Sequence, residues 1–154
     1  MKLLLHFLLS YISGIGFCLL FTVRKRNIPL AALGAATSWM LFQLFLDMGT
    51  NAVFATFLSG IILGFMTEAF AVYMKSPATN FIIIGIIPLV PGLKVYQGIL
   101  SLINDELMKG ISTILEACFI AVAIGVAMLV SSSIARIFRI RRTNALRQKR
   151  QKRK

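Results

Sequence analysis

The residues with the clearest chemical potential lie in one apolar stretch, residues 81–103, which is long enough to cross a bilayer. Two prolines and a glycine interrupt this stretch near its middle, and polar residues follow them. Proline lacks an amide hydrogen and clashes with the carbonyl four residues back, so the prolines should break a helix here. Broken helices at mid-membrane depth mark the binding sites of secondary transporters. The predicted substrate-binding residues are Pro88, Pro91, Gly92, Lys94 and Tyr96.

The break should expose backbone groups as well as side chains. The carbonyls of Ile84 and Ile87 would lose their helical partners and would accept a substrate ammonium or hydroxyl. The first amides of the second half-helix, from Gly92 to Tyr96, would carry the positive end of a helix dipole. Together with Lys94 they would attract a substrate carboxylate. The alternative is an ordinary proline kink in a structural helix.

Two carboxylates inside apolar spans are candidates for proton coupling. Glu68 follows Gly60 and Gly64 on one helical stripe, and small residues allow another helix to approach there. Glu68 should therefore face the bundle, and an acidic residue inside a span suggests function. It is the first coupling candidate and Glu116 is the second. The alternatives are that Glu68 snorkels and pairs with Lys75 or a basic loop residue, and that Glu116 is interfacial.

The sequence gives little support to an enzyme. It has no nucleophile–base pair, no metal cluster and no phosphate-binding loop, so we expect no cofactor. Cys18 and Cys118 each lie inside an apolar stretch and are interpreted as packing residues. The single His6 provides neither a zinc site nor a triad.

Composition sets the class of the protein. Of 154 residues, 58% are hydrophobic and only 14% are charged. A soluble domain of this size could not bury so much apolar surface, which predicts an all-α integral membrane protein. We expect a transmembrane domain over residues 1–138 with five spans, the fourth broken by the P-x-x-P-G motif, and a basic cytoplasmic tail over 139–154. The predicted spans are residues 3–23, 28–46, 52–74, 79–103 and 111–134.

Small residues recur every fourth position in several spans, which is typical of close helix packing in membranes. In the fifth span this pattern predicts a packing stripe of Ala117, Ala121 and Gly125. Lys109 and Gly110 should close the turn that precedes this span.

Charge predicts the topology. Ten of the 17 Lys and Arg residues lie between Arg136 and Lys154. With five spans, the positive-inside rule places the N-terminus outside and the tail in the cytoplasm. Basic clusters beside a span are attracted to anionic lipid head groups, and we favour that role over nucleic-acid binding.

The motif Pro88-Leu-Val-Pro91-Gly92, followed by Tyr96 and Gly98, resembles the threonine/serine exporter family, in particular the C-terminal half of those exporters. Phe21, Val23 and Arg26 resemble the family's entry to its second span. That half also occurs as a small subunit beside a larger one. The resemblance implies export of small polar metabolites, driven by the proton-motive force, across a bacterial inner membrane. Family members are linked to threonine and serine, and split relatives to dicarboxylates such as succinate.

Three features depart from the family pattern. Lys94 within the motif and the long basic tail are not shared, and the larger N-terminal half is not in this chain. The resemblance therefore implies a transporter subunit that acts with a larger partner subunit, and an oligomer is also possible. The rival hypothesis is a non-transporting assembly or scaffold subunit, in which the break is structural and the small-residue stripes dock a partner.

Overall fold

The computed structural model describes the backbone of residues 2–151 and the side chains of residues 3–136. Within these residues the chain forms six α-helices and no strand. Two short 3-10 turns, Lys25–Asn27 and Ile87–Leu89, precede α2 and α5. The helices are α1 (Lys2–Leu20), α2 (Ile28–Asp47), α3 (Ala52–Met74), α4 (Thr79–Ile86), α5 (Gly92–Ile103) and α6 (Leu107–Gln151).

Four of the helices are long and apolar enough to span a membrane: α1, α2, α3 and the first part of α6, up to Arg136. Helices α4 and α5 pass the same test as a pair, with a bend of 40° between them. A re-entrant loop must reverse its direction, whereas a 40° bend keeps the chain moving across the membrane. The bend therefore favours five crossings. The predicted all-α membrane fold is confirmed.

Helix ends follow from local chemistry. Pro29 occupies the first turn of α2, where its missing amide costs nothing. The side chain of Asn51 caps α3 by accepting a hydrogen bond from the Phe54 amide at 2.8 Å. Lys75 ends α3 in the left-handed conformation, and Asp105 adopts the same conformation in the turn before α6. These residues set where α2 and α3 begin, where α3 ends and where the chain turns before α6.

Helix α2 is the centre of the packing, since it contacts α1, α3, α4 and the turn at 87–89. Helix α6 packs between α3 and α5. One buried cluster joins α1, α2, α3 and α4, and a second joins α3, the break and α6. The first consists of Cys18, Ala31, Ala35, Ala71, Phe81 and Ile84, and the second of Leu63, Leu89, Ile120 and Ile124.

The glycine stripe of α3 packs inside the chain, against α6. A Cβ atom on Gly60 would lie 2.8 Å from the Cβ of Ala127, and one on Gly64 would collide with the hydroxyl of Ser131. Gly14 on α1 is similarly close to Ala32, at 3.0 Å from its Cα. These contacts confirm the prediction that small residues let neighbouring helices approach closely.

The predicted stripe on the last span is wrong in part. Ala117 is buried, but Ala121 and Gly125 are exposed, and a Cβ on Gly125 would meet open space. Two partners, α3 and α5, set the buried face of α6. That face passes through Ala127 and Ser131 instead.

Helix α6 also begins earlier than expected, at Leu107. Lys109 and Gly110 are therefore helical, and the turn lies at residues 104–106. A Cβ on Gly110 would meet Leu102 at 2.5 Å, so this glycine allows α5 and α6 to pack closely. The basic tail, residues 139–154, lies outside the residues whose side chains are described. Only the backbone of α6 is described there, as far as Gln151.

Candidate functional site

The break in the fourth span lies where the prolines predict it. Helix α4 ends at Ile86, and Pro88 is in the 3-10 turn that follows. Val90 is extended, with φ −63° and ψ 127°, and Pro91 is the residue before α5. Because neither proline has an amide hydrogen, the regular helical ladder cannot pass through this segment.

The backbone groups at the break are satisfied more fully than the sequence suggests. The Val90 amide donates to the carbonyls of Ile86 and Ile87, both at 3.2 Å. The Gly92 amide donates to the Val90 carbonyl at 2.8 Å, and the Val95 amide donates to Pro91 at 3.0 Å. The prediction of a free Ile87 carbonyl is therefore wrong.

The predicted row of free amides at the start of α5 is also shorter than expected. Gly92 and Val95 are bonded, and Tyr96 is far enough into the helix to reach the Gly92 carbonyl. Helix geometry leaves the amides of Leu93 and Lys94 without a carbonyl four residues back. The positive end of the dipole is thus concentrated beside the Lys94 side chain.

A cavity of about 260 Å³, here called the break cavity, lies against the broken segment. Aromatic side chains of α2, Thr56 of α3 and Ile120 of α6 form its other walls. Among the described side chains, Lys94 is the one charged residue in the lining, which is otherwise mostly apolar. The lining residues are Trp39, Phe42, Thr56, Pro88, Leu89, Val90, Pro91, Leu93, Lys94 and Ile120.

Lys94 forms an ion pair with Glu116, between Nζ and Oε1. The two side chains are 34% and 42% exposed, so both remain reachable. The α5–α6 hairpin brings them together because glycines allow close packing one turn away. A Cβ on Gly98 would lie 2.6 Å from Cγ1 of Ile114 and 3.3 Å from the Gly110 carbonyl.

The structure brings together only some of the predicted site residues. Pro88, Pro91 and Lys94 line the break cavity, and Glu116 joins them through Lys94. Gly92 is exposed at the start of α5 with open space beside it. Tyr96 is 62% exposed and is not part of the cavity lining.

Glu68 lies far from the break cavity. It is half-buried on α3, twelve residues after Thr56, which lines the cavity. At a rise of 1.5 Å per residue, the two positions are about 18 Å apart along the helix. The two carboxylates predicted for coupling are therefore in different places, and Glu116 is the one beside the cavity.

Sequence reasoning missed the contribution of α2. Trp39 and Phe42 form an aromatic wall of the cavity, with ring centroids 5.3 Å apart. Next to them, the buried Ser38 hydroxyl donates to the Gly85 carbonyl at 2.8 Å and ties α2 to α4. The available signal was a serine and a tryptophan side by side near the middle of an apolar span.

A second ion pair, between Glu106 and Lys109 at 2.9 Å, lies at the turn before α6. The hydrogen bond from Lys109, followed by its positive charge, lowers the pKa of the Glu106 carboxyl. Both side chains are at least half exposed, so this pair belongs to the surface of the turn. Among the residues whose side chains are described, no group of three His, Cys, Asp or Glu residues is placed to hold a metal ion.

These features define a multi-pass α-helical membrane protein with an apolar helix pair interrupted between α4 and α5 and a cavity at the break. Residues 6–134 match the family model described as Threonine/Serine exporter, ThrE. Since this match covers most of the chain, the chain belongs to the threonine/serine exporter family, as the P-x-x-P-G motif indicated. Membership supports a role in transport rather than in catalysis.

Two curated bacterial relatives are similar over most of this chain. An uncharacterized protein of Haemophilus influenzae is 28% identical over 83% of the chain and 46% of its own length. A probable threonine/serine exporter of Mycobacterium tuberculosis is 26% identical over 80% of the chain and 24% of its own length. The chain therefore spans half or less of these relatives, and no solved structure matches it. Bacterial relatives and several apolar helices support the inner membrane as its location.

Proposed function

We propose that this chain is a subunit of a secondary exporter that acts with a larger partner subunit. The exporter moves small polar metabolites out of the cytoplasm, either amino acids such as threonine and serine or small carboxylates such as succinate. The observation that carries the proposal is the Lys94–Glu116 ion pair at the edge of the break cavity. Family membership supplies the transport class and is consistent with a partner subunit.

The substrate carboxylate binds at Lys94. Its ammonium and the amides of Leu93 and Lys94 place positive charge at one end of a mostly apolar cavity. A carboxylate that enters competes with Glu116 for Lys94, so the ion pair holds the site closed until substrate arrives. Each charge inside a span costs about 2.5–3.5 kcal/mol on insertion scales, which makes a charge pair retained there a candidate for function.

Glu116, rather than Glu68, is the first candidate for proton coupling in this site. For an amino-acid substrate, the substrate ammonium and a proton both bind the Glu116 carboxylate and exclude one another. Competition for one group couples outward movement of substrate to inward movement of a proton. Glu68 lies about 18 Å along α3 from the cavity wall. At that distance a substrate in the cavity does not compete with a proton for its carboxylate.

A non-transporting scaffold subunit is the second candidate. It uses the small-residue stripes to dock a partner, but the stripe containing Gly60 and Gly64 is already occupied by α6. That observation weakens the scaffold role without affecting the ion pair.

The test is metabolite release from cells loaded with threonine or with succinate, which express this chain together with the larger subunit. Glu116→Gln and Lys94→Met should each slow release by about tenfold or more, the effect of losing roughly 1.4 kcal/mol of transition-state stabilisation. The exchanged pair, Lys94→Glu with Glu116→Lys, should recover part of the rate because it restores the attraction.

Glu106→Gln is the matched control, because it breaks an ion pair at the exposed turn and leaves the cavity intact. It should release metabolite at the unmodified rate. Normal release by both single variants would show that the Lys94–Glu116 pair is not part of the transport site. Failure of the unmodified chain and its partner to release any metabolite would favour the scaffold subunit.

A further inference from the structure

A second, more open cavity also borders the break. It also has a volume of about 260 Å³, and α1 forms much of its wall, so it is called the α1 cavity. Ser10, Ser13 and Phe17 line it from α1, and Ile87 lines it from the break. Among the residues with described side chains, Trp39 and Pro88 are the two that line both cavities. They form the wall between them.

The two cavities extend toward opposite ends of the bundle. The α1 residues of the α1 cavity run from Leu9, near the middle of the helix, to Phe17, which lies three residues before α1 ends at Leu20, about 5 Å along the helix. In the break cavity, Phe42 lies five residues before α2 ends at Asp47, about 7 Å. Successive spans run in opposite directions, so the ends of α1 and α2 are on opposite sides of the membrane.

Trp39 lies between these two levels, about 16 Å from the start of α2 and about 12 Å from its end. Its ring is supported by Phe42, with centroids 5.3 Å apart, and by the edge of His6 at 6.5 Å. The adjacent Ser38 bonds to the Gly85 carbonyl and fixes α2 against α4 at this depth. Contacts of α2 with α1 and α4 thus hold the indole in place.

Pro88, the residue that faces the indole, is in the part of the chain best able to move. Pro88 lies in the short turn where the helical ladder is interrupted, and hinge motion occurs where a few residues absorb a change in backbone angles. A small shift at 87–91 would separate Pro88 from the indole and join the two cavities.

We propose that Trp39, facing Pro88, is the partition between an inner and an outer vestibule, and that substrate crosses the protein when this partition opens. The role of the partition in transport rests on the proposed export function, but the existence of the partition does not. Each vestibule has room for several water molecules, at about 30 Å³ for one water in the liquid.

The partition is tested by cysteine labelling of membranes that contain the chain with its larger subunit. Ser13→Cys reports on the α1 cavity and Val90→Cys on the break cavity, because both residues are exposed lining residues. The native Cys18 and Cys118 are first replaced by alanine and serine. A membrane-impermeant thiol reagent is then added to intact cells and to inside-out vesicles.

With Trp39 present, each reporter should react from one side of the membrane only, and the two should react from opposite sides. Trp39→Ala should make each reporter reactive from both sides. Trp39→Phe should keep the one-sided pattern, as should Leu9→Ala, which changes an exposed residue that lines only the α1 cavity. If Trp39→Ala does not accumulate, Trp39→Leu removes the indole while keeping an apolar side chain.

Labelling of both reporters from the same side would overturn the proposal, and so would one-sided labelling that persists in Trp39→Ala or Trp39→Leu. Labelling does not require transport, so the two proposals fail separately. One-sided labelling without metabolite release would remove the export function and leave the partition. Metabolite release from a protein whose reporters react from both sides would exclude the partition and leave the export function.

Discussion

The two halves of the broken span are built in different ways. Helix α4 is fixed in the core, where Phe81 and Ile84 are almost completely buried against α2 and α3. Helix α5 packs mainly on α6, and Gly98 is its one buried residue. Leu93 and Ile103 at its two ends are 69% and 71% exposed.

This difference assigns different tasks to the two halves. The first half is a fixed wall, held by the Ser38 hydrogen bond and by packing on several helices. The second half carries Lys94 and is attached to the rest of the chain through one hairpin and one short turn. A site built on such a junction combines a rigid surface with a part that can be displaced, which alternating access requires.

The largest effect is expected from removing the break itself. Replacing both Pro88 and Pro91 with alanine restores two amides and allows one continuous helix. The protein should still insert and assemble with its partner, but metabolite release should fall to background. A straight helix cannot keep α4 against α2 while it places Lys94 at the cavity.

Pro77→Ala is the control for this variant, because that exposed proline lies in the loop before α4 and outside the break. It should release metabolite normally. Normal release by the double variant, at unchanged protein level, would mean that the bend is only a structural kink.

The next largest effect is expected at the glycines of the two halves. It is measured as the stability of their alanine variants in detergent. A Cβ on Gly85 of α4 would lie 2.6 Å from Cδ1 of Leu63, a residue that is 1% exposed. Gly85→Ala should therefore lower the unfolding free energy by about 1–3 kcal/mol, the usual cost of overpacking. Gly98→Ala in α5 should cost less, because the outer face of α5 is free and the hairpin can open slightly.

Gly92→Ala serves as the reference, because a Cβ there meets nothing within 4 Å. Its melting temperature should equal that of the unmodified protein. An equal or larger loss for Gly98→Ala than for Gly85→Ala would show that α5 is held as firmly as α4, and the assignment of a mobile half would fail.

The smallest effect concerns the link between α2 and α4. Ser38→Ala removes the hydroxyl that bonds to the Gly85 carbonyl at 2.8 Å. Hydrogen bonds between membrane helices average about 0.6 kcal/mol and reach about 1.7, so the expected loss of stability is in that range. Ser112→Ala removes an exposed hydroxyl that bonds within its own helix and should change stability less. Equal effects of the two variants would show that the link to α4 contributes little.

The spans and the break could be predicted because they depend on local chemistry. Twenty or so apolar residues define a span wherever they occur, and a proline interrupts a helix whatever surrounds it. The sequence was a poorer guide to which face of each span is buried. Ala121 and Gly125 have the spacing of a packing stripe, but the arrangement of α3 and α5 around α6 leaves them exposed.

Sequence reasoning singled out residues of the candidate site but not the contacts between them. Lys94 and Glu116 were each singled out, yet their pairing depends on the register of the α5–α6 hairpin. The turn at 104–106 and the close approach at Gly98 and Gly110 set that register, and none of these has a signature in the spacing of two charges. Trp39 was missed because a tryptophan in an apolar span looks the same whether it faces lipid or a cavity.

The ion pair also bears on how the chain enters the membrane. Helix α5 has 12 residues and carries a lysine, so by itself it is too short and too polar to insert stably. The carboxylate that neutralises this lysine lies on α6, the next helix to be synthesised. Helices α5 and α6 should therefore enter the bilayer together as a paired hairpin.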